Sequence, residues 1–252
     1  HIVTGAVSAA QNIVKCVRRC GLEVNDLVLQ PLSSSYAVLS EDEKDLGVCL
    51  IDIGGGTTDL AVWTQGAIRH TSVIPIAGDQ VTNDIAMALR TPTREAEDIK
   101  CKYGCALAQL ADPAASMEVA GVDDRPSRKL SRRALADVIQ PRVEELYELI
   151  QNELRRAGFE EVLSSGIVLT GGASVMPGMV ELGEEIFHMP VRLGSPKYMG
   201  SLADVVQCPR FSTAFGLLLE AQAQRKRGQK IKEKQNVKDV FDGMKSWFAK
   251  NF

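Results

Sequence analysis

Two short apolar runs, residues 48–53 and 60–63, flank the stretch Gly54-Gly55-Gly56-Thr57-Thr58-Asp59. Rich in Val, Ile and Leu, they have the composition of strands with at least one buried face, joined by a tight turn. Ahead of them, Val7, Ala10, Ile13, Val14 and Val17 recur at helical spacing and Gly21 follows as a stop, which predicts a helix over 7–20. Residues 1–4 and 26–29 read as strands, so this part of the chain suggests a strand, helix, strand unit with parallel pairing. A short helix over 33–39 and a charged turn over 41–45 lead into the glycine hairpin.

Beyond the hairpin the pattern predicts a strand over 67–74 and a helix over 81–89. After Thr91-Pro92 a second helix starts at Thr93, with a hydroxyl cap and an acidic first turn, and runs to Tyr103. Residues 117–122 read as a short strand before the basic, proline-containing segment 123–129. A long amphipathic helix over 132–156 places Leu135, Val138, Ile139, Val143, Leu146 and Ile150 on one face, with a kink or joint expected at Pro141. A buried strand over 166–170 runs into Gly171 and Gly172, ahead of a helix from Pro177; a short strand over 191–194 and an apolar helix over 212–219 follow.

Residues 222–238 are polar with no apolar period, the signature of a solvated linker. On a helix over 239–252, Val240, Phe241, Met244, Trp247, Phe248 and Phe252 fall on one side and Lys245 and Lys250 toward the other. Two uses fit that pattern: docking on the parent domain, or lying in a membrane surface with the lysines near anionic lipid. Gly243 lowers helicity by about 1 kcal/mol against Ala, so this helix is expected to form on binding.

Composition narrows the classes. Of 252 residues 45% are hydrophobic and 24% charged, enough apolar material for one large or two ordinary domains. A net charge of −3 gives no global basic field, which argues against a nucleic-acid partner. Basic clusters at 125–133 and 225–234 leave local partners open. The six cysteines form no CxxC pair and read as small buried hydrophobes in a reducing compartment. No run of 18 apolar residues suggests a membrane span, and the opening on His1 suggests a piece of something longer. The three dispersed histidines assemble no nucleophile site. The glycine hairpin remains the chemical candidate: its N–H groups, with the Thr57 and Thr58 hydroxyls, suit phosphate oxygens, and Asp52 suits Mg²⁺ beside them. An unliganded glycine hairpin fits the same stretch.

Three motifs in order, 30–37 (QPLSSSYA), 51–63 (IDIGGGTTDLAVW) and 166–179 (GIVLTGGASVMPGM), resemble the nucleotide signature of the actin, Hsp70 and sugar-kinase superfamily. Arg69-His70-Thr71, Ile76-Ala77-Gly78, the run 97–106 and the aromatic C-terminus further resemble the FtsA family of bacterial cell-division proteins over essentially the whole chain. The resemblance implies an α/β, actin-like (ribonuclease H-like) ATPase fold, with mixed sheets, flanking helices and a C-terminal amphipathic helix. It implies the end of subdomain 1A at 1–42, subdomain 2A at 43–78 and 141–205, subdomain 2B at 79–140, a return helix at 206–222, a linker at 223–238 and a membrane-targeting helix at 239–252. The family's N-terminal phosphate hairpin and 1C subdomain have no counterpart here.

The same resemblance implies the cofactors ATP and Mg²⁺. Gly54, Gly55, Gly56, Thr57 and Thr58 would hold the phosphates, Asp52 would act through a Mg²⁺-bound water, Glu97 and Lys100 would line the ribose and base, and Gly171, Gly172, Ala173 and Met176 would close over the nucleoside. Gln30 would orient an attacking water. Read without the family, Glu97 and Lys100 are a surface pair and Gln30 a strand-end polar residue. Partners implied are the FtsZ C-terminal peptide, further copies of the protein in filaments, the cytoplasmic membrane surface at the division septum and later division proteins. Arg125, Arg128, Lys129, Arg132, Arg133 and Arg142 would offer a basic surface for the peptide. A pilus or secretion component and a metabolic kinase are the rival readings.

Overall fold

The computed structural model describes residues 1–121 and 126–228. The described residues form two compact units, one of His1 with Leu29–Leu217, the other of Ile2–Val28 with residues 218–228.

The first unit is built on a five-stranded sheet. Strands β1 (Val48–Ile53), β2 (Thr58–Thr64) and β3 (Ala67–Ile74) run antiparallel, while β6 (Ile167–Thr170) and β7 (Val191–Leu193) extend β1 in parallel, giving the order β3-β2-β1-β6-β7. β1 is buried along its whole length because successive side chains feed two cores. Cys49, Ile51 and Ile53 enter the larger core with Leu60, Val62, Ile167 and Leu169. Val48 and Leu50 enter the smaller one with Ala61, Trp63 and Val168. This two-sided burial makes the sequence of β1 a continuous apolar run.

Helices α2 (Gln30–Val38) and α3 (Glu41–Leu46) precede β1. Helix α2 covers the small core through Ala37 and Val38, while Lys44 of α3 lies buried with its ammonium 5.5 and 5.2 Å from the Tyr36 and Trp63 ring centres. On the other side α4 (Gly78–Leu89), α5 (Thr93–Tyr103), α6 (Arg132–Ala157) and α7 (Met179–Phe187) pack into the large core. The face read from the α6 sequence is the one it buries: Leu135, Ile139, Val143, Leu146 and Ile150, with Val138 partly buried beside them. β4 (Ser116–Val119) and β5 (Arg128–Ser131) pair antiparallel in a separate two-stranded sheet. A single turn, α8 (Ala203–Val206), precedes α9 (Ser212–Lys226), which begins in this unit. In the second unit α1 (Val7–Arg19) buries no residue.

Several expectations need correction. Residues 1–4 and 26–29 form no strand, so the parallel unit is not made; an extended segment needs a ladder partner, and the described residues of the second unit supply none. Residues 41–45 are helical, because Ser40 and Glu43 form a reciprocal capping box: Ser40 Oγ accepts from Glu43 N (3.3 Å) and Glu43 Oε2 from Ser40 N (2.8 Å). Thr93 is the first helical residue, not a cap, and Pro92 holds the cap position. β5 replaces what reads as irregular basic chain. Helix α6 continues past Pro141, and α9 extends to Lys226, so 222–226 is helix instead of linker. Of the cysteines, Cys49 and Cys105 are buried, whereas Cys16, Cys20 and Cys101 are exposed. Burial pushes the Cys49 thiol up to about 12. Arg125, residues 229–238 of the linker and the 239–252 helix with its six apolar residues lie outside the described residues.

Two acidic side chains tie the unit together and predict its acid sensitivity. Arg192 of β7 grips Glu43 through Nε–Oε1 (2.7 Å) and Nη2–Oε2 (2.8 Å); burial works to raise the Glu43 carboxyl, but Arg192 and Ser40 hold it down at about 2. Glu153, bonded by Arg156 (2.7 Å) and by His70 (2.9 Å), is also held at about 2. A depressed carboxylate stabilises the fold above its ordinary value of 4.5, and that contribution is lost as pH falls toward the folded value of about 2. The melting temperature is therefore expected to drop as pH is lowered across that window, with Arg192→Ala flattening part of the slope. A melting temperature independent of pH over that range would contradict these assignments.

Candidate functional site

The carboxyl end of β1 delivers Asp52 between two helices. Its Oδ2 accepts from Ser34 Oγ on α2 (2.6 Å) and lies 3.3 Å from Thr213 Oγ1 on α9. Directly across the β1–β2 ladder stands Asp59, so two nearly buried carboxylates share one face of the sheet. Burial, and then the Asp52 charge, raise the Asp59 carboxyl against a long hydrogen bond from Thr57 (3.4 Å). Neither aspartate has a cationic partner among the described residues, and no group of three or more His, Cys, Asp or Glu there makes a protein-only metal cage. Facing carboxylates beside a glycine loop fit a hard cation that takes the rest of its ligands from water and phosphate, the usual habit of Mg²⁺.

The glycine loop is pinned to the start of α4. Gly54 N donates to Thr57 O (3.0 Å), closing the turn; Gly78 N donates to Gly54 O (3.1 Å) and Asp79 N to Gly55 O (2.7 Å). Gly55 and Gly56 are exposed. Gly78 sits at a crowded point: a Cβ there would lie 3.3 Å from Gly54 O, 3.4 Å from Ala173 Cβ and 3.4 Å from Lys100 Nζ. Lys100 of α5 is buried, and its ammonium donates to Gly78 O (3.0 Å) and Thr82 Oγ1 (2.7 Å) and pairs with Glu97 (2.6 Å). Burial works to raise the Glu97 carboxyl, but hydrogen bonds from Lys100 and Thr82 overcome it and hold it below its ordinary value.

The third wall follows β6. Asp52 is in register with Thr170, so Gly171 emerges beside the end of β1 with φ +90°, a conformation that favours glycine. A Cβ there would lie 2.4 Å from Ile53 O and 2.5 Å from Asp52 Oδ1. Ser174 Oγ donates back to Gly171 O (2.8 Å), and a one-turn 3-10 helix (Ala173–Val175) carries the chain to Met176. Ala173 and Met176 line a small apolar pocket with Ile53, Ile76, Val81 and Met179.

The structure thus brings Gly54, Lys100 and Ala173 together around Gly78, with Asp52 and Gly171 adjoining. It does not make Glu97 and Lys100 a surface pair, since the ammonium is buried. Thr58 departs from the expectation: it begins β2, is fully buried, and gives its hydroxyl proton to Ile76 O (2.7 Å), because the loop closes one residue earlier, at Thr57. Gln30 is exposed at the first position of α2, instead of ending a strand, and its side chain has no polar partner among the described residues.

The basic surface is also reduced. Arg128 donates to Leu89 O, Arg132 to Tyr103 O (3.0 Å), and Arg142 grips Asp84 through Nε–Oδ2 (2.6 Å) and Nη2–Oδ1 (3.0 Å) while also reaching Glu145. Nearby carboxylates and carbonyls have taken up these guanidiniums. Lys129 and Arg133 are exposed with no polar partner among the described residues. Charge reversal at Arg142 is accordingly expected to lower stability first, by setting a third carboxylate against Asp84 and Glu145; a melting temperature equal to wild type would contradict this. Sequence reasoning missed Ser34, Asp59, Gly78, Asp79, Thr82 and Thr213. Ser34, Asp59 and Gly78 fall inside motifs quoted above without a role of their own, whereas Thr82 and Thr213 carried no local signal.

A family model described as Cell division protein FtsA matches residues 49–216. The chain belongs to the FtsA family. Over its whole length it is 58% identical to the Cell division protein FtsA of Pseudomonas aeruginosa and 46% identical to that of Escherichia coli K12, spanning 62% of the length of each. FtsA of Bacillus subtilis is 40% identical over 86% of the chain, which spans 48% of that relative. Among solved structures, MreB5 of Spiroplasma citri bound to ADP superposes with TM-score 0.72 at 19% identity, over 90% of this chain and 69% of that one. The PilM-PilN type IV pilus biogenesis complex gives 0.65 at 21% identity, over 84% of this chain and 57% of that one. These likenesses establish the actin-like fold of this FtsA-family chain.

Proposed function

We propose that the protein carrying this chain is an ATP-binding, actin-like cell-division protein that anchors the FtsZ ring to the cytoplasmic membrane and helps assemble later division proteins at the septum. The observation that carries the nucleotide reading is the convergence of the glycine loop, the buried Lys100 ammonium and the Gly171–Ala173 turn beside the Asp52–Asp59 pair. Exposed backbone at Gly55 and Gly56 suits phosphate oxygens, Lys100 supplies a fixed positive charge, and Ala173 and Met176 offer apolar contact to a nucleoside. Asp52 would hold Mg²⁺ through a bound water, and the ion when bound neutralises phosphate charge. ATP is supported by the fold neighbours, since MreB5 is seen with ADP and with AMPPNP. Gln30 would align water, so any hydrolysis rests on positioning and the role is chiefly structural. Titration of the full-length protein with Mg-ATP tests this: saturable binding weakened by Asp52→Asn is expected, and equal binding by the variant would remove Asp52 from the site.

Self-association into filaments is supported by the MamK double helical filament, which shares the fold with TM-score 0.65 at 17% identity. Membrane attachment rests on the sequence of 239–252, since no helix among the described residues is long and apolar enough to cross a membrane. In liposome co-sedimentation the full-length protein is expected to pellet and a version without 239–252 to stay in solution; unchanged pelleting would overturn the membrane role. For the FtsZ peptide, Lys129 and Arg133 are the open cations of that surface among the described residues, and reversing both is expected to weaken peptide binding, with unchanged affinity at moderate salt removing the site. A pilus component shares the fold, but whole-chain identities of 46–58% are to FtsA proteins.

A further inference from the structure

Asp52 is oriented by two helices whose residues lie far apart in sequence. Ser34 Oγ, fully buried, is 2.6 Å from Asp52 Oδ2 and 2.9 Å from Thr213 Oγ1, which is itself 3.3 Å from the same carboxylate oxygen. Each hydroxyl has one proton to give. The shortest arrangement runs in one direction, from Thr213 to Ser34 to Asp52. It commits Oδ2 to the helices and leaves Oδ1 on the side of Gly171, at 2.5 Å from where a Cβ of that residue would stand.

The helices behind this chain touch backbone to backbone. Ser33 Oγ donates to Thr213 O (2.8 Å), and a Cβ on Gly216 would fall 1.8 Å from Ser33 O. Such a contact has no slack, so a small shift of either hydroxyl is felt by both helices. The next residue on α2, Ser35, accepts from the Trp63 indole N–H (2.9 Å) while donating to Pro31 O (2.7 Å).

Resting on the nucleotide reading above, we infer that Ser34 and Thr213 are positioning residues. They turn Asp52 so that Oδ1 meets a divalent cation bound with a nucleoside phosphate, and they pass occupancy of that site to the α2–α9 contact, where Trp63 reports it. Removing the Ser34 hydroxyl frees the carboxylate to rotate. The loss falls on the cation and leaves the direct contacts of the loop and Lys100 with phosphate intact.

The test uses the full-length protein with every tryptophan except Trp63 replaced by Phe. ATP binding is measured without metal and across a MgCl₂ series, and Trp63 emission is followed. Ser34→Ala is expected to raise the Mg²⁺ concentration for half-maximal ATP binding about tenfold, the loss of one charge-assisted hydrogen bond, and Thr213→Val, which removes the neutral bond to Ser34 behind it, about fivefold. Metal-free ATP binding changes by less than about twofold, a smaller free-energy difference than that bond. Both variants are expected to lose the Mg-ATP-dependent change in Trp63 emission, and Thr213→Ser to keep it. Should Ser34→Ala fail to fold, the Thr213→Val and Thr213→Ser pair decides. An unchanged Mg²⁺ requirement, or equal weakening with and without metal, makes the hydroxyls merely structural and overturns the inference while the nucleotide reading stands. Absence of ATP binding by the parent protein overturns both.

Discussion

Gly171→Ala is expected to destabilise the first unit by about 2–5 kcal/mol, from about 1–2 for a non-glycine residue at positive φ and about 1–3 for forcing an atom into closed packing. At φ +90°, the added Cβ would meet Ile53 O at 2.4 Å, Asp52 Oδ1 at 2.5 Å and Ile53 N at 2.7 Å. None of these is the far end of a flexible side chain; two are backbone and the third is a carboxylate fixed by Ser34. Relief requires the ends of β1 and β6 to part, and the register Asp52–Thr170 makes that movement carry Asp52 out of the site. Mg-ATP binding is therefore expected to fall with stability. The neighbouring residue is the control. Gly172 has φ −66°, and a Cβ there would meet only Arg210 Cβ, at 3.7 Å, so Gly172→Ala is expected to stay within about 0.5 kcal/mol of wild type. Chemical denaturation of both variants reads the difference, and equal midpoints would show that the closeness of Gly171 to Asp52 has no energetic weight.

The contrast between these two glycines marks where sequence reasoning stops. A glycine pair after a buried strand announces a turn, but which member needs its missing side chain depends on β1, more than a hundred residues earlier. The elements that were legible each carried a complete local pattern: β1 and β2 by apolar composition around three glycines, α6 by a stripe held over about four turns. Residues 26–29 had the composition of a strand and form none, because composition cannot supply a ladder partner. The opposite failure is β5, whose residues Arg128-Lys129-Leu130-Ser131 lack strand character and are held by β4. α3 was legible in principle, since Ser40 and Glu43 have capping-box spacing.

The site divides in the same way. Its glycines were visible because backbone exposure is a property of the residue. Its polar supports were not, since Ser34 and Thr213 meet across 179 positions and the Lys100 ammonium is held by Gly78 and Thr82, outside its own helix. Arg142 shows the reverse error. A basic run reads as an open surface until Asp84, 58 residues away, closes on it.

Lys100→Met is expected to separate charge from packing at this point. Methionine keeps most of the unbranched stem and removes the ammonium, leaving Gly78 O and Thr82 Oγ1 without the donors now at 3.0 and 2.7 Å. A lysine only 9% exposed would ordinarily make this a severe loss, but its ionic partner Glu97 is 46% exposed and can regain water. Discounted for that screening, the cost to stability is about 1–3 kcal/mol. The effect on ATP is expected to be the larger signature: the fixed positive charge held on Gly78, which is itself pinned to the glycine loop, disappears, and affinity falls about tenfold or more. Acid titration supplies an independent check. Glu97 is depressed in the folded state because Lys100 and Thr82 outweigh its burial, so its contribution is present above the ordinary carboxylate range and lost as pH drops below it. In Lys100→Met most of that contribution is already gone, and the variant is expected to lose less stability than wild type on acidification. Glu97→Gln, which keeps the ammonium and its two neutral acceptors, is expected to lose the same acid dependence while retaining most ATP affinity. If Lys100→Met bound ATP as wild type does while Glu97→Gln did not, the assignment of the phosphate-facing charge to Lys100 would be wrong, and the buried ammonium would serve only to hold α5 against the start of α4.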